Sequence, residues 1–205
     1  SQNVQLLPGK SYTITLKFEL GIQLAASDIN LTQNGCTASD KNYLAKLRWA
    51  TGNLKSTGST NYIWAPSQTE TGYYYTWYST YTGNKTTNNT DPCSKLNTAY
   101  YGTGWRTPSE NDYIPLSRCT DKVLTNGGMW FMNKSIGIFL LAAGTIGNGG
   151  GSATSNPNYS TAKTGQYWTS KKDGENRGIS FTFNPSSTFM FSDYQATGIP
   201  VRCVK

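Results

Sequence analysis

Hydrophobic and polar residues alternate over short stretches in most parts of the chain, which is the pattern of β-strands with one buried face. The first stretch follows a turn at Pro8-Gly9 and covers residues 12–18, and a weaker alternation continues over residues 21–34. Another alternating run begins at Tyr43. Beyond residue 126, short apolar or alternating segments separated by Gly, Asn and Pro predict further strands: GGMWF, IGIFLLAAG, GQYWTS, GISFTF, STFMFS and GIPVRCVK.

One helix start interrupts this pattern, in the segment WRTPSENDYIPL. Thr107 suits the N-cap, Pro108 suits the first helical position, and Glu110 stands where it would close a capping box. The sequence therefore predicts a helix from Pro108 to about Arg118. Because Pro115 removes a hydrogen bond from the second half, we expect this helix to kink or to end early.

The stretch TGYYYTWYSTY, residues 71–81, concentrates aromatic side chains. In a strand, successive side chains point to opposite faces, so Tyr74 and Tyr78 share the face opposite Tyr75 and Trp77. If only one face is buried, the other presents tyrosine rings with polar tips, which suit contact with a sugar or a protein. The alternative is that both faces are buried in the core.

Composition and charge narrow the class of protein. Aromatic residues make up 13% and charged residues 14% of the chain, which is typical of a secreted protein rich in strands and loops. The formal net charge is +7, but the basic residues are scattered and only Lys171-Lys172 are adjacent, so we expect no nucleic-acid partner. The longest apolar run, IFLLAA, is far shorter than the ~20 residues of a membrane span. The length suits one main domain.

Residues that support catalysis are scarce. The chain has no histidine, which excludes Ser-His-Asp and Cys-His nucleophiles and histidine-ligated zinc. Asp173 and Glu175 form a pair of carboxylates in one loop, but Lys171, Lys172 and Arg177 flank them, so a solvated charged turn is the better interpretation. We therefore expect no enzymatic activity, no cofactor, no structural metal and no calcium dependence.

Four cysteines stand at positions 36, 93, 119 and 203, without a CxxC pair. This spacing indicates disulfides in an oxidising compartment and not a metal knuckle. Four cysteines permit three pairings, and the spacing alone does not choose among them.

Several segments, taken in order, resemble the FISUMP-type "major paralogous domain": LRWATGNL, GYYYTW, DPC, GTGWRTPSENDYIPL, SRC, IFLLAAG, GQYWTS and GIPVRCVK. The resemblance covers roughly residues 36–205 and implies an α+β, C-type-lectin-like fold, with short twisted antiparallel strands, one or two short helices and long loops. Residues 1–34, with LLPGKSYTITLKFE, resemble the closing strands of a fimbrillin-type β-sandwich. The expected domains are therefore 1–34 and 35–205, as a fragment of a longer fimbrial protein.

The resemblance also implies roles for individual residues. Tyr74, Tyr75 and Trp77 match a framework element and are expected in the scaffold. The Glu-Pro-Asn, Gln-Pro-Asp and Trp-Asn-Asp triplets of calcium-dependent lectins do not occur, and Cys203 stands without a nearby partner for the cysteine pair of formylglycine-generating enzymes. We therefore expect neither inherited activity. The lectin-like fold implies the disulfides Cys36–Cys93 and Cys119–Cys203.

The function that this resemblance implies is a cell-surface adhesin, or a tip or accessory component of extracellular fimbriae attached to the outer membrane. Its expected partners are other fimbrial subunits and a glycan or protein of a host or bacterial surface. The alternative hypothesis is a calcium-independent carbohydrate-binding module of a secreted glycan-degrading system. Contact is expected through the loops 81–90 and 145–159 and the turn 173–177, since long loops on a rigid scaffold carry recognition. The candidate ligand-binding residues are Tyr78, Tyr81, Asn148, Tyr159, Asp173, Glu175 and Arg177.

Overall fold

The protein combines short helices with antiparallel strands in small sheets, so its fold class is α+β. The structure is a computed structural model that describes residues 21–29, 31, 35–56, 61–80, 87–133, 136–146 and 163–205. The strand predicted over residues 12–18 lies outside these residues. Residues 21–29 belong to the main core, where Leu24 and Ile29 are buried, and Ile22 pairs with Trp49 in an isolated bridge.

The first helix, α1, spans Ala38–Leu44 and was not predicted. Thr37 and Asp40 form a capping box, in which Asp40 N donates to Thr37 Oγ1 at 3.0 Å and Thr37 N donates to Asp40 Oδ2 at 3.1 Å. This capping box stabilises the helix through Tyr43, where the alternating pattern predicted the start of a strand. The alternation is correct only further on, since Trp49 makes isolated bridges with Ile22 and Val204. A one-turn helix, α2, spans Thr98–Tyr101.

The predicted central helix is present as α3, Glu110–Arg118, and begins two residues later than expected. Its N-cap is Ser109, which forms the capping box with Asp112. The helix does not end early, because it continues through Pro115 to Arg118. Burial of Tyr113 and Leu116 in the core stabilises this second half despite the missing hydrogen bond.

Within the described residues the strands form four antiparallel sheets, β1-β2, β3-β10, β4-β5-β6 and β7-β8-β9. All six segments predicted beyond residue 126 contain a strand, so those predictions are confirmed. The bounds are Leu54–Ser56 (β1), Tyr62–Trp64 (β2), Tyr74–Tyr75 (β3), Asp121–Thr125 (β4), Gly128–Asn133 (β5), Ile136–Leu141 (β6), Gly165–Asp173 (β7), Arg177–Phe183 (β8), Thr188–Tyr194 (β9) and Ile199–Pro200 (β10).

Aromatic side chains fill much of the interior. Tyr113 stacks on Phe181 with ring centroids 4.5 Å apart, in the core between α3 and the β7-β8-β9 sheet. Tyr74, Tyr75 and Trp77 are all buried, which confirms that they belong to the scaffold. The aromatic stretch therefore buries both faces of its strand, and the hypothesis that Tyr74 lies on an exposed face is wrong.

The disulfides are Cys36–Cys119 and Cys93–Cys203, with Cα atoms 5.0 and 5.7 Å apart. The presence of two disulfides is as expected, but the pairing Cys36–Cys93 and Cys119–Cys203 is wrong. The reason is the packing of α1 against α3, which brings Cys119, the residue after α3, to Cys36, two residues before α1. Cys203 instead lies beside the 3₁₀ helix Pro92–Lys95, which carries Cys93.

None of the helices in the described ranges is long and apolar enough to cross a bilayer.

Candidate ligand-binding surface

The turn between β7 and β8 carries three of the predicted ligand-binding residues. Gly174 has a φ of +70°, which glycine adopts without steric cost, and this lets the chain reverse tightly. Asp173 and Glu175 are exposed, and neither carboxylate makes an ion pair or side-chain hydrogen bond with another described residue. Lys171, one of the cations that flank them in the sequence, forms an ion pair with Glu110 at 2.7 Å between Nζ and Oε2. The two carboxylates therefore stand open to solvent.

Arg177, at the base of this turn, contacts the edge strand. Its guanidinium carbon lies 4.2 Å from the ring centroid of Tyr194, in cation–π geometry, and its Nη1 donates to the carbonyl of Ser192 at 3.0 Å. Tyr194 is 53% exposed and was missed in the sequence. The arrangement holds a cation and an aromatic ring together at the surface.

Tyr78 lies at the same end of the molecule because the buried Trp77 anchors it there. Trp77 N donates to Gln195 O at 2.9 Å, and Gln195 N in turn donates to Asn176 O, in the β7-β8 turn, at 2.9 Å. The Trp77 ring lies against Gly178 so closely that a Cβ on that glycine would stand 2.2 Å from Trp77 Cδ1.

The backbone at Tyr78 adopts a φ of +44°, which is rare for a bulky residue and costs energy. The side chain is half-buried, and burial together with the negative charge of Asp91 raises the pKa of its phenol. Its carbonyl accepts a hydrogen bond from Thr87 Oγ1 at 3.0 Å. Asn88 Nδ2 donates to Thr80 Oγ1 at 2.7 Å, so residues 87–90 fold back onto residues 78–80. Strain held in this way is typical of functional sites.

We use the name hairpin-end surface for the set that these contacts bring together: Tyr78, Thr87, Asp173, Glu175, Arg177 and Tyr194. Four of the seven predicted residues, Tyr78, Asp173, Glu175 and Arg177, belong to it. The other three, Tyr81, Asn148 and Tyr159, lie outside the described residues, as do most of the two predicted loops. The surface offers aromatic rings, a cation and free carboxylates, which suit binding by contact.

Metal-ligating residues are dispersed in the described ranges, where no group of three or more His, Cys, Asp or Glu side chains could hold an ion. Asp112, which is fully buried, serves the scaffold. It accepts two hydrogen bonds from Arg106, at 2.7 and 2.8 Å, and others from Ser109 and from Tyr43 Oη. Burial alone would raise the pKa of Asp112, but the hydrogen bonds from Arg106 and Ser109 outweigh it and lower the pKa below its ordinary value.

We expect Asp112→Asn to lower the free energy of unfolding at neutral pH by about 2 kcal/mol, since the buried carboxylate loses its charge-assisted hydrogen bonds, while the side chain of its partner Arg106 is 40% exposed and screened by solvent. Because the folded-state pKa lies below the unfolded value of 3.8, the carboxylate stabilises the protein fully above that value. The stabilisation is lost as the pH falls through the lower folded-state pKa. Urea unfolding of both proteins between neutral and acidic pH measures this, with Asp173→Asn as the exposed control. A difference that grew in acid would contradict the expectation.

A second exposed feature was missed entirely. Phe189 and Phe191, on β9, are 40% and 48% exposed and lie on the face opposite Met190, which is partly buried against the core. The sequence held a signal: in STFMFS, three successive large apolar residues put hydrophobic groups on both faces of one strand. One of the two faces therefore had to be exposed or covered by something else. Beside the rings, Asp193 is half-buried, and burial raises the pKa of its carboxyl although Ser180 Oγ donates to it at 2.6 Å.

Comparison of the chain with protein-family models, with curated proteins and with solved structures finds no match in any of the three.

Proposed function

We propose that this protein is a non-catalytic binding protein of the bacterial cell surface, an adhesin or a tip or accessory component of fimbriae. It binds through a C-type-lectin-like domain, and the hairpin-end surface is the contact site. Its partners are other fimbrial subunits and a glycan or protein on a host or bacterial surface.

The observation that carries this proposal is the pair of Arg177 and Tyr194 next to the free carboxylates Asp173 and Glu175. Tyrosine and arginine are the residue types that dominate binding energy at protein interfaces, and tyrosine rings also stack on sugars. The pair is mounted on a hairpin whose base is fixed by the buried Trp77, so little conformational entropy is lost on binding.

The covalent structure supports an extracellular location. Both cysteine pairs are bonded and every bonded cysteine is buried, which suits a protein that matures in an oxidising compartment. The resemblance to a FISUMP-type domain and to fimbrillin strands supports fimbriae as the site of action. Among the carboxylates that the structure describes, the buried Asp112 is bonded within the scaffold, which leaves it without a role in chemistry.

The proposal is tested on a producing strain from which the gene has been deleted. The deletion should weaken adhesion, or change fimbrial assembly, and leave growth on glycans unchanged. Complementation with Arg177→Ala/Tyr194→Ala should restore fimbriae but leave adhesion reduced by about tenfold or more. Removing an arginine and an aromatic residue from the centre of a binding interface weakens binding by at least this factor. Tyr100→Ala, which removes a 75% exposed tyrosine from α2, is the matched control and should restore adhesion.

The same purified proteins on a glycan array, with and without a chelator, distinguish the possible partners. Chelator-independent binding that is lost in the double variant, combined with slower growth of the deletion strain on glycans, would favour the carbohydrate-binding module. Turnover of a glycan or peptide by the purified protein would overturn the proposal.

A further inference from the structure

The outer edge of β9 is not paired with a strand in the part of the chain that the structure describes. β9 pairs with β8 on one side, and no other described strand pairs with it on the other side. Strand edges of this kind are usually protected by lysine, proline or a bulge. β9 has no Lys, Arg or Pro and keeps an uninterrupted register with β8, whereas the edge strand β4 begins with the exposed charged pair Asp121-Lys122.

The hydrogen bonds at the two ends of the β8–β9 ladder show which backbone groups point outward. Asn184 N donates to Ser187 O at the hairpin, and Gln195 N donates to Asn176 O at the far end, both at 2.9 Å. Bonded and non-bonded pairs alternate in an antiparallel ladder, so Phe189 and Phe191 bond β8. The backbone amides that face away from β8 are those of Thr188, Met190, Ser192 and Tyr194, and none has a hydrogen-bond partner among the described residues.

Hydrophobic side chains are concentrated on this same edge. Of eight large hydrophobic side chains that are exposed in the described ranges, three lie on β9, more than on any other element. Phe189 and Phe191 contact each other in a T-shaped arrangement, with centroids 6.5 Å apart. We use the name aromatic edge for Phe189, Phe191 and the outward backbone of β9.

We propose that the aromatic edge binds the aromatic edge of a second copy of this chain, so that two β7-β8-β9 sheets join into one six-stranded antiparallel sheet across a two-fold axis. This inference is independent of the proposed function. It goes beyond the hairpin-end surface because neither Phe189 nor Phe191 belongs to that surface.

One register makes the edge complementary to itself. With Met190 on the two-fold axis, Thr188 pairs with the second copy's Ser192, and Met190 pairs with its own counterpart. The outward amides and carbonyls of these residues then meet in hydrogen-bonded pairs. Ser192 O already accepts from Arg177, but a carbonyl has a second lone pair for the added amide.

The side chains match in the same register. Phe189 of each copy lies opposite Phe191 of the other, which gathers four rings into one cluster; cross-strand aromatic pairs of this kind stabilise sheets. Asp193, the only charged residue of the strand, faces the second copy's Ser187 and so opposes no charge. With Phe191 on the axis instead, each Asp193 would face a phenylalanine ring, which desolvates a carboxyl group without a partner.

The side of the sheet that carries α3 leaves room for the added strand. A groove of about 250 Å³ runs along the edge of β9 beneath α3, lined by residues that include Ile114, Ser117, Thr188 and Met190. It is placed to receive side chains of the second copy on that face. Thr188 lies next to α3 and pairs with Ser192, near the other end of the second copy's β9. The α3 helices of the two copies therefore lie at opposite ends of the shared sheet.

The interface is small, and the association should therefore be weak and dependent on concentration. With a full phenylalanine side chain burying about 200 Å², rings that are 40% and 48% exposed contribute about 350 Å² in the two copies together. A two-fold contact uses the same edge on both copies, so assembly stops at the dimer and does not continue into a fibre.

Sedimentation equilibrium of the full chain tests this. The mass should rise from 22.5 kDa towards twice that value as the protein concentration increases into the millimolar range. Phe191→Lys should remain a monomer throughout, because it places a charge against the second copy's Phe189. Tyr100→Lys adds the same charge at an exposed tyrosine on α2 and should dimerise like the wild type. A wild type that stays monomeric, or a Phe191→Lys variant that dimerises equally well, would overturn the proposal.

Cysteine cross-linking tests the register. Directly opposite residues of an antiparallel pair lie within disulfide distance. Under mild oxidation, Phe189→Cys mixed with Phe191→Cys should therefore form a covalent mixed dimer, while neither variant alone should cross-link. Self-cross-linking of Phe191→Cys without the mixed product would exclude Met190 as the position of the axis.

Discussion

Replacing both Cys93 and Cys203 by alanine should lower the free energy of unfolding by about 4–5 kcal/mol. This disulfide joins residues that are 110 positions apart in the sequence. In the chain-entropy model, a cross-link that closes so long a loop stabilises the folded protein by about this amount, because it restricts the unfolded chain. Both cysteines are buried and alanine is smaller, so no overpacking offsets the loss. The midpoint of urea unfolding, compared with wild type, measures the effect.

The second disulfide provides the matched control. Cys36→Ala/Cys119→Ala removes a cross-link between residues 83 positions apart and should lower the free energy of unfolding by a similar amount. The stabilisation by a disulfide depends only logarithmically on the length of the loop that it closes. In folded Cys93→Ala/Cys203→Ala, a thiol titration should find no free thiol, because Cys36 and Cys119 remain bonded to each other. A wild-type peptide linking Cys36 to Cys93 under non-reducing conditions would contradict the pairing.

Replacing Arg202 by methionine should lower the free energy of unfolding by about 3–5 kcal/mol. Arg202 is fully buried, and its Nη1 and Nη2 donate to the carbonyls of Ala50 and Phe139 at 3.0 and 2.7 Å, with a longer contact to Gln68 O at 3.4 Å. Burial lowers the pKa of Arg202, but a guanidinium stays charged in proteins. Methionine would leave these buried carbonyls without donors, at about 1–3 kcal/mol each.

The Arg202→Lys variant distinguishes the contribution of the positive charge from that of the guanidinium geometry. Arg202→Lys keeps a cation, but its single ammonium cannot reach carbonyls that lie on separate segments as the planar guanidinium fork does, so it should also be clearly destabilised. Unfolding in urea, with an unchanged slope against concentration, measures the loss in both variants. A methionine variant as stable as the wild type would show that removing the buried charge offsets the lost hydrogen bonds.

The sequence by itself determined the strands after residue 126 and the approximate place of α3. Those features depend on short-range properties, namely the alternation along each segment and the Pro-Ser-Glu start of the helix. The aromatic stretch was ambiguous from its pattern alone, and the resemblance to a framework element led to the confirmed expectation that Tyr74, Tyr75 and Trp77 are buried.

Tertiary structure alone decided the rest. From the sequence, Thr107 suits the N-cap of α3. In the structure its hydroxyl donates to Asp91 Oδ1 at 2.7 Å, sixteen residues away in the chain, and the N-cap residue is Ser109 instead. The pairing of Cys36 with Cys119 follows from how α1 and α3 pack, which local pattern does not encode. The exposure of Phe189 and Phe191 follows from the position of β9 at the edge of its sheet. A side chain's partners across the chain depend on sheet order and helix packing, so these sites emerged only in the folded protein.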